Sequence, residues 1–515
     1  MSTRSEQTLA ALREFLSTPL AERLHRHRQT GSEAHLLALF RTAVEQVPAY
    51  RGFLAAQGVD ARGVKSLADF QRLPLMTKQN YMRAYPLAER CRGGDLSQYD
   101  MLAMSSGSTG APMIWPRTVI NELDIAYRFE QVFHAFRADE RATLAVVCFA
   151  MGAWVGGMFT AACCRHLAAK GYPITVATPG NKKDEIFRIV QELGPHYQQV
   201  VLLGYPPFIK DVIDSGRAEG IAWPRYKPKL VFAGEVFSEE WRALVCERIG
   251  ASDPSTTTAS LYGTADGGVL GNETPLSVTI RKFFSTRPEL AREVFGESRL
   301  PTLVQYDPLS RYFEVHAGTL AMSGDSGVPL LRYHIADKGG VIPYEEMMRI
   351  LANAGLPSPP GESKARGAKP WPAGPGEGSV EDRDTWPLPF VYLFGRADFT
   401  VSYFGANVYP ENISVGLEQA AVRDWVSGKF VLQVVETADR NEALSIAVEL
   451  LPGVAGDEAK SGAVADAIVQ QLRRLNSEFA NYVPAEFQRP RIALKPFGDA
   501  EWFPVGVKHR YTRKS

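Results

Sequence analysis

Ser105-Ser106-Gly107-Ser108-Thr109-Gly110-Ala111-Pro112 alternates hydroxyls and glycines, with no lysine to close it. Glycine lets a backbone turn tightly and present its N–H groups, and Ser and Thr hydroxyls add further donors, so such a loop is suited to holding phosphate oxygens. It is not a nucleotide P-loop, because the Gly-Lys-Ser/Thr ending is missing. Four later segments carry other groups. Gly234-Glu235 follows an apolar run and precedes Ser238-Glu239-Glu240, a helix-capping pattern. Tyr262-Gly263-Thr264-Ala265-Asp266 ends another run. There the ring can cover a base, and the carboxylate can take Mg²⁺. Arg332-Tyr333-His334-Ile335-Ala336-Asp337 puts a carboxylate after an apolar strand, and one carboxylate can accept both hydroxyls of a ribose. Gly395-Arg396-Ala397-Asp398 precedes Gly405-Ala406-Asn407-Val408-Tyr409-Pro410. Taken singly, each of these also reads as a plain turn.

The elements that must position these groups follow from the apolar pattern. The first hundred residues read as helical, with Leu9, Leu12, Leu16 and Leu20 near helical spacing and Leu36, Leu37, Phe40, Val44 and Val47 repeating it. Tyr99 to Met104 reads as a strand. From there short apolar runs (144–149, 174–177, 200–203, 230–233) alternate with helix-like segments (183–193, 208–215, 238–249). That alternation is the mark of β-α units around a largely parallel sheet, whose ligands sit at the carboxyl ends of the strands. Residues 352–389 are rich in Pro, Gly and charge and read as an insertion or linker. After it, 430–435 and 444–450 read as strands, and Val464, Ile468, Leu472, Leu475 and Phe479 share a helix face. The expected class is therefore α/β: a large N-terminal domain, 1–396, with β-α layered sheets, and a small α+β domain, 397–515, joined by a hinge.

The 515 residues hold 57 basic and 57 acidic side chains, so the balance gives no pull toward nucleic acid or anionic lipid. The 143–164 stretch carries no charge, but its glycines point to a buried strand, a turn and a helix in preference to a membrane span. Five cysteines without metal-ligand spacing, and an N-terminus without an apolar leader core, fit a cytoplasmic protein.

In this order and spacing the segments resemble the adenylate-forming superfamily of acyl-CoA synthetases, and in particular its phenylacetate–CoA ligase branch. Val47-Pro48-Ala49-Tyr50-Arg51, Leu73-Pro74-Leu75-Met76-Thr77-Lys78 and Ala153-Trp154-Val155-Gly156-Gly157 carry the branch likeness. The resemblance implies an acyl-adenylate formed from ATP and a small carboxylic acid with release of pyrophosphate. The acyl group then passes to coenzyme A with release of AMP; a carrier-protein thiol, a protein residue or an amine is the alternative acceptor. It also implies roles. Ser105, Ser106, Gly107, Ser108, Thr109 and Gly110 cradle phosphates. Gly234, Glu235, Tyr262 and Gly263 line the adenine pocket, and Thr264 or Asp266 attends the α-phosphate and Mg²⁺. Asp337 holds the ribose, Arg396 adds a contact, and Phe149, Met151 and Trp154 border the acid. Lys508 bridges acid and α-phosphate, with Lys514 and Arg510 as weaker rivals, and Asp398 is the hinge.

Two departures stand out. Ala265 and Asp266 replace the family's Thr and Glu, and Val507 replaces the Gly before the lysine. They motivate a further alternative, a nucleotide-binding relative without catalysis. The Cys/His cluster frequent in the branch is missing: residues 267–345 hold only His316 and His334, which read as ordinary side chains.

Overall fold

In the computed structural model the described residues are 3–104, 113–152, 155–297, 300–356, 385–396, 401–404, 406–436, 442–476, 479–480, 483–504 and 511–512. The loop 105–112, Trp154, Asp398 and Lys508 lie outside them, as do Arg510, Lys514 and most of the Pro/Gly-rich stretch.

Eleven strands form the main sheet among the described residues. From one edge, Ile174–Ala177, Thr143–Val147, Gln199–Gly204, Lys229–Ala233 and Thr258–Thr264 run parallel. The 143–147 and 199–204 strands are buried along their whole length, as strands covered on both faces must be. Helices Val155–Ala169, Lys183–Leu193, Pro206–Ala218 and Glu239–Ile249 make the crossovers. The uncharged 143–164 stretch is thus strand, turn and helix, and no described helix is long and apolar enough to cross a membrane.

The rest of the sheet corrects the expectation of a largely parallel one. Gly268–Asn272, Thr302–Gln305, Phe390–Arg396, Leu330–Ile342, Thr319–Gly324 and Arg311–His316 continue it antiparallel. Hairpins need no crossover helix, so this half lacks the βα alternation that marks the other. Asp337 also departs from expectation. It lies within the long Leu330–Ile342 strand instead of after it, at a register shift where Ala336 takes a φ of +65°.

The N-terminal apolar spacing divides into two helices, Arg4–Ser17 and Leu20–Gln29, broken at Thr18-Pro19. Phe15 and Leu24 are its buried anchors, while Leu9 and Leu16 are exposed. The C-terminal part is a three-stranded sheet of Val426–Glu436, Glu442–Leu450 and Arg491–Lys495. Helix Glu458–Leu475 covers it through Val464, Ile468 and Leu472, all fully buried. Helix Pro410–Leu417 approaches at Gly416, where a Cβ would lie 2.8 Å from the Ile468 Cα. The class is the α/β arrangement expected: a large layered part and a small α+β part.

Candidate active site

Backbone register gathers the motif residues on one rim. Val147 pairs with Leu203, Leu203 with Val231 and Ala233 with Leu261, so these parallel strands end level with one another. Phe149 and Met151, Tyr205, Gly234-Glu235 and Tyr262 therefore share the carboxyl edge of the sheet, the usual ligand crevice of open α/β folds. Phe149 is buried and meets the Tyr205 ring edge-on, with centroids 5.0 Å apart. Gly234 has φ +87°, and a Cβ there would stand 2.8 Å from the same ring. Tyr205 thus joins the Phe149 and Gly234-Glu235 segments, a residue that the motifs passed over because Gly204-Tyr205 has no chemical signature of its own.

The Tyr262–Asp266 segment is the turn of a hairpin, Thr264 pairing with Gly268. Thr264 Oγ1 accepts the Gly267 N–H at 3.0 Å and closes it. A Cβ at Gly267 would lie 2.4 Å from Met322 Cε, so that side chain would have to swing away. The turn is held from outside by Arg117, which is 1% exposed. Its Nη2 donates to the carbonyls of Ala265 at 2.5 Å and Asp266 at 2.9 Å. Arg117 ends the strand Ile114–Arg117, whose partner Met101–Met104 leads into the Ser/Gly loop. The loop's flanks are thereby tied to the hairpin.

Asp266 and Asp337 are 8% and 7% exposed. Buried carboxylates need donors, and both have tyrosines. Tyr333 donates to Asp266 at 2.5 Å, and Tyr262 donates to Asp337 at 2.7 Å. Burial first, then the Asp337 charge, pushes Tyr262 well above the usual tyrosine range, so its hydroxyl stays a donor. Phe313 stacks on the Tyr262 ring at 6.4 Å. On the neighbouring strand Asp337 stands directly opposite Arg396. Tyr262, Asp266, Asp337 and the Arg396 backbone therefore meet although 134 residues separate the first from the last.

The segment Leu73 to Lys78 docks on the same strand. Met76 N–H donates to the Arg332 carbonyl at 3.1 Å, and His334 N–H returns to the Met76 carbonyl at 2.8 Å. His334 itself engages Thr319 at 2.7 Å. Across the molecule, Glu235 receives a hydrogen bond from Tyr511, and Ser238, which caps helix Glu239–Ile249, donates to Glu418 at 2.6 Å.

No family model matches the chain. A phenylacetate–coenzyme A ligase of Aromatoleum evansii is 23% identical over 316 residues, 59% of this chain and 64% of the relative. One from Thermus thermophilus is 24% identical over 311 residues, with the same shares. The matched stretch thus spans less than two thirds of each curated relative. A solved 2-hydroxyisobutyryl-CoA ligase, in its postadenylation state with R3-HIB-AMP, shares the fold at a TM-score of 0.63 and 14% identity, covering 94% of this chain and 88% of that one. The chain is thus similar in sequence to phenylacetate–coenzyme A ligases and shares the fold of an adenylate-forming acyl-CoA ligase. On that fold, the arrangement of Tyr262, Asp266 and Asp337 gives this chain two shielded carboxylates at the sheet edge.

Proposed function

We propose that this protein activates a small carboxylic acid with ATP, forming an acyl-adenylate and pyrophosphate, and then transfers the acyl group to the thiol of coenzyme A, releasing AMP. The observation that carries the reading is the convergence of Tyr262, Asp266 and Asp337, with Asp337 opposite Arg396, at one rim with Glu235. In this reading Asp337 accepts the ribose hydroxyls, and Tyr262, Gly263 and Glu235 border adenine. The loop 105–110 holds the β- and γ-phosphates, and Thr264 faces the α-phosphate. Attack by the acid carboxylate needs positioning and charge stabilisation more than covalent help from the protein. Lys508 supplies the cation between acid and phosphate. The 397–515 part acts as a mobile domain, with Asp398 as its pivot.

Mg²⁺ fits as an ion that arrives with ATP. Asp266 supplies a carboxylate, and no cluster of three or more ligating His, Cys, Asp or Glu side chains occurs among the described residues. That is the pattern of an ion held mostly by substrate oxygens and water. Bound there, it would neutralise phosphate charge. The names of the curated relatives support coenzyme A as acceptor. The five buried, unpaired cysteines support a reducing, cytoplasmic setting.

The test is pyrophosphate exchange with ATP, Mg²⁺ and a panel of aromatic and aliphatic acids, with phenylacetate and 2-hydroxyisobutyrate among them. Products with CoA, holo carrier protein or amines are then identified by mass spectrometry. Exchange and an acyl-CoA are expected. A panel that yields no exchange and no AMP would leave a nucleotide-binding protein without this chemistry.

A further inference from the structure

Tyr511 touches both parts of the molecule. Its hydroxyl donates to the Glu235 carboxylate, in the turn after strand Lys229–Ala233. Its carbonyl accepts the Leu432 N–H at 2.7 Å, and its ring lies tilted on Phe430 with centroids 5.2 Å apart. Thr512 bridges Leu432 as well. Phe430 and Leu432 are fully buried in the C-terminal sheet. The tail is therefore pinned to the small sheet by backbone and ring, and its Tyr511 hydroxyl reaches Glu235 of the large part.

The Glu235 charge lies beside this oxygen. Loss of solvent first, then that charge, holds the phenol well above its ordinary ionisation range. The group remains a donor to a carboxylate, the stronger class of hydrogen bond. Other hydrogen bonds also join the two parts among the described residues. Lys210 donates to the Ser427 carbonyl at 3.2 Å, Arg248 to the Arg423 carbonyl at 3.3 Å, and Ser238 to Glu418.

We propose that Tyr511 is a positioning residue for the first half-reaction: by tying the tail to Glu235 it sets where the tail presents its cation. The inference rests on the adenylation reading above. Lys508 stands three residues before Tyr511 in the sequence. Three residues span about 11 Å at full extension, so fixing Tyr511 on Glu235 restricts where that ammonium can be delivered. Glu235 is the rim residue of the adenine side, so the same bond couples the tail to the nucleotide pocket.

Tyr511→Phe keeps the ring on Phe430 and removes only the hydroxyl. In the full-length protein, amide exchange at Leu432 and in the tail peptide should speed up several-fold. At saturating ATP, single-turnover formation of acyl-adenylate should slow about tenfold, the scale of one hydrogen bond to a charged group. ATP affinity and the conversion of supplied acyl-adenylate with CoA should both stay within about twofold of wild type. Unchanged exchange with unchanged adenylation overturns the proposal. So does weaker ATP binding at an unchanged saturating rate, which would make Tyr511 part of the nucleotide pocket. Equal slowing of both half-reactions also overturns it, as general damage. If wild type forms no acyl-adenylate with any acid of the panel, the positioning role falls with the adenylation reading, and the exchange result alone then decides whether the tether exists.

Discussion

The rim around Asp337 and the contact around Glu418 are built by opposite means. At the rim, continuous strand pairing fixes every partner: Tyr262 and Asp337 sit on strands of one sheet, and a hairpin closed by Thr264 and braced by Arg117 holds Asp266. Among the described residues no sheet spans the large and small parts. Side chains make that contact instead: Ser238 with Glu418, Tyr511 with Glu235, Lys210 with Ser427, Arg423 with Glu247 at 3.6 Å and Arg474 with Glu240 at 3.8 Å. Partly exposed ion pairs of this kind contribute little each. A ladder cannot be opened without unfolding the sheet, whereas such a contact can be broken and remade. One region holds its partners in fixed register; the other can be broken and remade.

The largest expected effect falls on the small part. Lys508→Ala should slow acyl-adenylate formation by about 10²–10³, the scale for one preorganised charge donor, while a supplied acyl-adenylate still reaches product. Single-turnover assays of the two halves check this. Normal adenylation in that variant would shift the role to Lys514 or Arg510.

On the rigid side, Tyr262→Phe leaves the buried Asp337 without its 2.7 Å donor. A loss of about 2 kcal/mol in folding stability is expected, read by denaturant titration. A change below about 0.5 kcal/mol would mean that the rim is looser than its register implies.

Asp266→Asn keeps an oxygen for the Tyr333 hydroxyl and removes only the charge. Stability should hold, while the Mg²⁺ concentration for half-maximal adenylation rises about tenfold, equivalent to about 1.4 kcal/mol. An unchanged Mg²⁺ dependence would make Asp266 a structural acceptor.

The smallest effect belongs to the contact. Loss of solvent pushes Glu418 up to about 8, with Glu240 adding to it and the Ser238 hydrogen bond, Lys210 and Arg281 opposing. Its ordinary value is 4.5. The docked arrangement therefore favours the protonated acid. Docking should be fullest below pH 4.5 and weaken as pH rises toward 8. Because the group is partly exposed, the population change should be no more than about tenfold. X-ray scattering across that window reads it, and Glu418→Gln should flatten the response. A wild-type profile already flat would show that Glu418 does not bias the contact.

The same contrast explains what the sequence made legible. Parallel strands separated by their own helices announce themselves as apolar runs, and 174–177, 200–203 and 230–233 fall on observed strands almost residue for residue. The antiparallel half was not visible, because Phe390–Arg396 inserts between strands that begin at 302 and 330. Such pairing is non-local, and no period in the chain encodes it. The motif carboxylates Asp266 and Asp337 could be named from their segments, but their donors could be found only in space. Tyr262 and Tyr333 each belong to one motif and serve the carboxylate of the other. Arg117 carried no signal beyond following the Ser/Gly loop. Leu9 and Leu16 show the reverse failure, correct helical spacing on a face that packing did not use.

Arg117 has one more consequence. Because a single guanidinium holds both carbonyls of the Ala265-Asp266 turn, loss of order in that turn or in the Ile114–Arg117 strand deprives the other of its brace. The two should melt as one cooperative unit below the global transition, with matching amide-exchange rates on both sides of the crevice. A ligand that settles either segment would then quiet both, so occupancy of the phosphate end would be felt at the carboxylate end as lost entropy before any atom moves.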